Sequence, residues 1–159
     1  MSIVICVGMA DYKTAKNPDL LMTAGLGSCI GICLFDIGLK VGGMAHIMLP
    51  SADGRTGNLA KYADTCLDLL FREIMNLGGK KERLRAKIAG GAQMFSFPGK
   101  QTVFNIGERN AQAVEKELKR LGIPILAADI GGGFGRTIYF AVGTGDLRVR
   151  TINYGEKVI

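Results

Sequence analysis

One histidine, no tryptophan and no C-x-x-C pair mark this chain before any motif does. A structural zinc site needs four Cys or His ligands at close spacing, and Cys6, Cys29, Cys33, Cys66 and His46 do not supply that pattern. No metal is therefore expected, and the scattered thiols read as reduced. The absence of tryptophan leaves few platforms for stacking bases. No apolar run approaches the roughly 18 residues of a membrane span, and the opening MSIVICVGMADYK has no basic signal-peptide region. A cytoplasmic protein without membrane insertion is expected.

Glycine, by contrast, is abundant: 23 of 159 residues, about twice an average usage near 7%. Phosphate cradles are the first thing to test. GLGSCIG misses the G-x-G-x-x-G spacing by one residue, GGGFGR breaks it at Arg136, and neither GK dipeptide has P-loop neighbours. Nucleotide cofactors are thus not expected, and tight turns and bulges account for most of these glycines. The net charge of +6 invites a nucleic-acid reading. The dense basic cluster, KKERLRAK from Lys80 to Lys87, contains Glu82 and no aromatic residue, which describes a solvated face better than a nucleic-acid surface. Such a charge also suits an acidic protein partner.

A chain of 159 residues that is 48% hydrophobic buries roughly 70% of its unfolded surface, and no linker or repeat divides it. One domain over 1–159 is expected. Short apolar runs at SIVICV, LLMTAG, CIGICLF and VGGMAHIML predict strands. From Leu59 the period changes: Tyr62, Ala63, Cys66, Leu67, Leu70, Phe71, Ile74 and Leu77 follow helical spacing up to Gly78 and Gly79. A second helix is announced by Asn105 with Glu108 three residues on, carries Ala111, Val114, Leu118 and Leu121 on one face, and stops at Gly122 and Pro124. RLRAKIAGG, IPILAAD, RTIYFAV and LRVRTI read as further strands, giving a mixed α/β layered domain with two main amphipathic helices. Cys6, Cys33 and Cys66 read as core thiols. Phe95, Phe97 and Phe104, around the FPGK turn, fit either an apolar docking patch or the core.

Cys29 stands apart because it follows a glycine turn, TAGLGSC. A cysteine nucleophile needs access, an acid or base within reach and donors for an oxyanion. Gly25 and Gly27 leave room for a carbonyl and can present N–H groups, the Cys29 amide is itself a donor, and Ser28 is too small to block approach. A nearby imidazolium would lower the thiol pKa, and only His46 can supply it. Its apolar stretch, GGMAHIMLP, predicts a strand that holds the ring by packing, where it needs a partner. No carboxylate lies in either motif, and Thr23 offers a hydroxyl instead. The competing reading is that a lone cysteine and a lone histidine are satisfied core residues. Cys33 shares the face of Cys29 if the segment is extended, which raises oxidative regulation as an idea.

T-x-G-L-G-S-C at Thr23 to Cys29 and GGMAHIMLP at 42–50 together resemble the CheD family of chemoreceptor glutamine deamidases. KYADTCLDLL, AKIAGGAQMF, NIGERN and GGGFGRTIYF continue the likeness in family order, so it covers nearly the whole chain. The resemblance implies a layered α/β sandwich similar to the catalytic domain of cytotoxic necrotizing factor toxins. It also implies a cofactor-free Cys/His amidohydrolase with Cys29 as nucleophile, His46 as general acid/base and Thr23 orienting the imidazole. The implied partners are the cytoplasmic helices of chemoreceptors and the CheC-type phosphatase. A protein that docks on receptors without turnover is the alternative.

Overall fold

Ten strands and two helices alternate along the chain in a computed structural model that describes residues 1–94 and 105–159. The strands are β1 (Val4–Cys6), β2 (Asp11–Lys16), β3 (Leu20–Leu26), β4 (Ile30–Asp36), β5 (Val41–Ile47), β6 (Leu84–Gly90), β7 (Ile125–Ile130), β8 (Arg136–Ala141), β9 (Leu147–Thr151) and β10 (Gly155–Val158). The helices are α1 (Ala63–Asn76) and α2 (Ile106–Leu121). One sheet has the order β1-β3-β8-β9-β10 and the other β2-β5-β4-β6-β7. Each is mixed, with a single parallel pair, β1 with β3 and β6 with β7.

The second sheet is the middle layer. Ile30, Ile32, Leu34, Ala45, Ile47 and Ile88 on one of its faces pack against α1 and α2. Cys29, Cys33, Phe35, Met44 and Ala89 on its other face meet Leu21, Leu26, Ile138 and Phe140 of the first sheet. Every residue of β4 and β5 is consequently buried, and both strands are near-continuous apolar runs, as strands covered on two faces are. Helix, sheet and sheet form the layered α/β sandwich with mixed sheets and two amphipathic helices expected above. The helices bury stripes of Cys66, Leu67, Leu70 and Ile74 in α1 and Ala111, Val114, Leu118 and Leu121 in α2.

Four departures from the sequence reading have physical reasons. DYKTAK forms β2 although nothing apolar announces it, because an edge strand needs only pairing, here antiparallel to β5, and tolerates exposed charge. GEKV forms β10 on an edge of the other sheet for the same reason, with all four residues exposed. Cys6 is exposed rather than core, since β1 is a three-residue edge strand. The first helix begins at Ala63, not Leu59: Asn58 caps a single tight turn at Leu59–Lys61, and Tyr62 is extended at φ −114°, ψ 139°. There the chain pairs with the segment following β5, the Lys61 carbonyl accepting from Met48 N and Leu49 N at 2.8 and 3.1 Å.

At the far end of β4, the buried Asp36 carboxylate accepts from Leu39 N, Lys80 N and Arg83 Nε at 3.1, 2.9 and 2.8 Å. Burial raises its pKa, but these donors outweigh burial and hold it near 2. The basic run from Lys80 to Lys87 is thereby dispersed: Arg83 serves Asp36, while Lys87 Nζ donates to the Ile159 carbonyl at 2.8 Å. Asn105 caps α2 by accepting from Glu108 N at 3.2 Å, and Gly122 ends it in the left-handed region at φ +72°. Phe95, Phe97 and Phe104 lie outside the described residues. No helix among the described residues is long and apolar enough to cross a membrane.

Candidate active site

Thr23 of β3 and His46 of β5 meet between the two sheets, and Cys29 lies in the turn between β3 and β4. β5 carries His46 at a position registered against Gly31 of β4. Cys29, two residues before Gly31 and just outside the β4–β5 ladder, belongs to the same inter-sheet face. The glycine at 31 is required by the layer opposite, since a Cβ there would sit 2.6 Å from Ile138 Cδ1. From that opposite layer β3 contributes Thr23, whose Oγ1 lies 2.7 Å from His46 Nδ1. All three residues are buried, with Cys29 retaining 7% exposure and the other two 1%.

Proton bookkeeping fixes the imidazole. Thr23 Oγ1 also lies 2.7 Å from the Val7 carbonyl oxygen, which can only accept. The single hydroxyl proton therefore goes to Val7, and Oγ1 must accept from Nδ1–H. The neutral ring then presents the lone pair of Nε2, and among the described residues that buried nitrogen has no partner. A packed basic nitrogen without a partner is available to accept a proton.

Burial sets the resting charges. It pushes the Cys29 thiol up, against a smaller lowering by its own backbone N–H, and it pushes His46 down. The site thus rests as thiol and neutral imidazole, and the imidazolium expected to lower the Cys29 pKa is not the resting form.

The turn before Cys29 is held through three successive carbonyls. Gly27 O accepts from Ala92 N at 2.8 Å, Ser28 O from Asn110 Nδ2 at 2.9 Å, and Cys29 O from Gly91 N at 2.8 Å. Gly90 must be glycine here: its φ is +117°, and a Cβ would approach the Cys29 carbonyl oxygen to 2.2 Å. Gly25, at φ +72°, makes the bend at the bulge where β3 leaves β8. Of the donors expected for an oxyanion, Gly27 N–H is spent inside the turn on Gly25 O at 3.1 Å. The Ser28 and Cys29 N–H groups have no acceptor among the described residues.

Asn110 is the residue sequence reasoning missed. It sits fully buried in the apolar stripe of α2, flanked in helical spacing by Gly107, Ala111 and Val114. That placement was the available signal, because a polar side chain at a core position must find partners. The two protons of its Nδ2 go to Ser28 O and Met48 O, each at 2.9 Å. Cys33, in contrast, is wholly buried, and burial raises its pKa far above the ordinary range. Four extended residues separate it from Cys29 by roughly 13 Å, beyond the roughly 7 Å that a disulfide bridges.

A cleft of about 750 Å³ opens from the turn, lined by Gly25, Met94, Phe134, Arg136, Arg150 and Ile152 among others. Its lining holds two arginines and no carboxylate. Arg136 is buried, pairs with Asp129 at 3.0 Å and lies over the Phe134 ring, whereas Arg150 is exposed. No group of three or more metal-ligating side chains occurs among the described residues.

A family model described as CheD chemotactic sensory transduction matches residues 48–151. The chain is 71% identical to the probable chemoreceptor glutamine deamidase CheD of Desulfitobacterium hafniense (strain DSM 10664 / DCB-2), across 100% of both chains. It is 53% identical to the chemoreceptor glutamine deamidase CheD of Halalkalibacterium halodurans, again across 100% of both. Among solved structures, the Bacillus licheniformis hypothetical protein YfiH aligns with a TM-score of 0.40 and 17% identity, covering 74% of this chain and 49% of that chain.

Proposed function

The chain belongs to the CheD family, and we propose that it is a protein-glutamine deamidase acting on chemoreceptors as a single domain over residues 1–159, with Cys29 as nucleophile and His46 as general acid/base. The observation that carries this reading is the buried Val7–Thr23–His46 chain of hydrogen bonds, which leaves Nε2 without a partner in the inter-sheet layer that also holds Cys29. Full-length relatives named as deamidases support the choice of substrate class.

In this mechanism the Cys29 proton moves to His46 Nε2 as Sγ bonds to the carboxamide carbon, and the carbonyl electron pair moves onto oxygen. The Cys29 amide, with Ser28 N–H beside it, stabilises that oxyanion. Collapse breaks the C–N bond, and the imidazolium returns its proton to the departing ammonia. Water then attacks the thioester, giving its proton to Nε2; the C–S bond breaks, and the sulfur recovers the proton. Glutamine and water become glutamate and ammonia, with no cofactor in the balance. Each turnover adds one negative charge to a receptor helix, a local change able to bias a signalling equilibrium.

The cleft beside Gly25 suits the polypeptide flanking the glutamine, since its exposed Arg150 and apolar wall match an acidic amphipathic helix. A CheC-type phosphatase as second partner, a cytoplasmic location and likeness to the catalytic domain of cytotoxic necrotizing factor toxins belong to the same proposal. The buried, unionised Cys29 also suits a second reading, a regulator that docks on receptors without turnover. Ammonia release from a receptor cytoplasmic fragment, with peptide mass mapping, separates the two. Cys29-dependent conversion of glutamine to glutamate is expected; binding without release by the intact protein establishes the docking regulator instead.

A further inference from the structure

We propose that Asn110 is a positioning residue that aims the oxyanion-binding amide at Cys29, an assignment resting on the deamidase reading. A trans peptide holds its C=O and N–H on opposite sides of one plane. The Ser28 carbonyl and the Cys29 N–H share such a plane, so the 2.9 Å bond from Asn110 Nδ2 to Ser28 O turns the Cys29 N–H away from α2. That N–H lowers the pKa of its own thiol. A donor beside the nucleophile is where the oxygen of an attacked carboxamide develops charge.

The other proton of the same amide group reaches Met48 O, two residues beyond His46. One rigid side chain thus ties the nucleophile's turn to the strand end that carries the base. Both partners are carbonyls, which fixes the amide with its NH2 toward them. Its Oδ1 is left buried and without a partner among the described residues. A side chain kept for packing alone would avoid that unmet acceptor; only a two-proton donor of this length spans both carbonyls.

The test compares Asn110→Ala with the intact protein in two assays: deamidation of a receptor fragment, and alkylation of Cys29 by iodoacetamide, which needs no oxyanion donor. Loss of an aimed donor lowers kcat by roughly 100-fold or more, with KM and the alkylation rate each changing less than about threefold. Parallel loss of deamidation and alkylation in a folded variant overturns the proposal, as does unchanged kcat. Where the alanine variant does not fold, Asn110→Asp keeps the volume: its protonated carboxyl donates one bond, so kcat rises as pH falls, against the trend of the intact protein. Absence of that reversal also overturns it. Ammonia release absent from the intact protein, with normal Cys29 alkylation, fails the deamidase reading itself and the assignment with it.

Discussion

Thr23 Oγ1 and His46 Nδ1, 2.7 Å apart, join the two sheets across the core at the point where the imidazole must be oriented. A hydroxyl serves where other Cys/His sites use a carboxylate because Val7 O consumes its proton and leaves only acceptor capacity. The ring is thereby held without placing a charge in an apolar layer, where an unpaired carboxylate would be costly.

Thr23→Val tests that alignment. The shape is kept, but Nδ1–H loses its acceptor and the tautomer is no longer fixed. Loss of a ring-orienting partner lowers activity about 10- to 100-fold, and the buried polar groups left behind cost about 1–3 kcal/mol of stability. Thr23→Ser restores most of the rate. Steady-state ammonia release on both variants reads the outcome, and full activity in the valine variant would remove the orienting role.

Lowering pH destabilises the fold through His46. The native ring excludes a proton because burial disfavours its charged form, whereas the unfolded chain binds one near the ordinary histidine pKa of 6.5. The unfolded state therefore holds more protons below that pH. Stability is complete above about 6.5 and declines as pH falls toward the depressed native pKa, by up to about 1.4 kcal/mol per pH unit. Urea unfolding at several pH values measures the slope. His46→Gln removes this contribution, while the Asp36 carboxylate, held near 2, adds stability that is fully present in this range and is lost only as pH falls below about 4 toward 2.

Much of this site was legible because chemistry-bearing residues are scarce: one histidine leaves one base, and a glycine turn before Cys29 marks the nucleophile. The helices were legible from apolar spacing. What escaped depends on pairing between distant segments. β2 exists because β5 offers it a partner, and Tyr62 is extended because residues 61–63 bind the chain beyond β5. The Gly27 N–H is lost to a bond inside its own turn, which composition does not reveal. Asn110 reaches Ser28 across 82 positions of sequence, and only its place in an apolar helical stripe hinted at it.

The four thiols should separate by burial. Cys6 is exposed, so a chromogenic disulfide reagent at pH 8 labels it first in the native protein. Cys29, with 7% exposure and a raised pKa, reacts more slowly. Cys33 and Cys66 have no exposure, and burial takes the Cys66 thiol up to about 12; both react only after unfolding. Peptide mapping of the labelled sites at successive times checks the order. Early labelling of Cys33, or a Cys29–Cys33 disulfide after peroxide, contradicts this burial and reopens oxidative regulation.

The cleft is tested by reversing its exposed charge. Arg150 is paired only at 3.9 Å with Glu156, and its side chain is 62% exposed, so Arg150→Glu costs little stability. An acidic helix lying in the cleft then meets repulsion instead of attraction. KM for a receptor fragment is expected to rise about tenfold, equivalent to ~1.4 kcal/mol of binding, and the difference shrinks at high salt because the contact is solvent-screened. Neither kcat nor Cys29 alkylation should change by more than about twofold, since Arg150 belongs to the cleft and not to the thiol–imidazole pair. A KM unaltered at low salt places the flanking helix elsewhere. Equal falls in kcat and alkylation would instead mean that the cleft wall shapes the nucleophile's turn through Gly25.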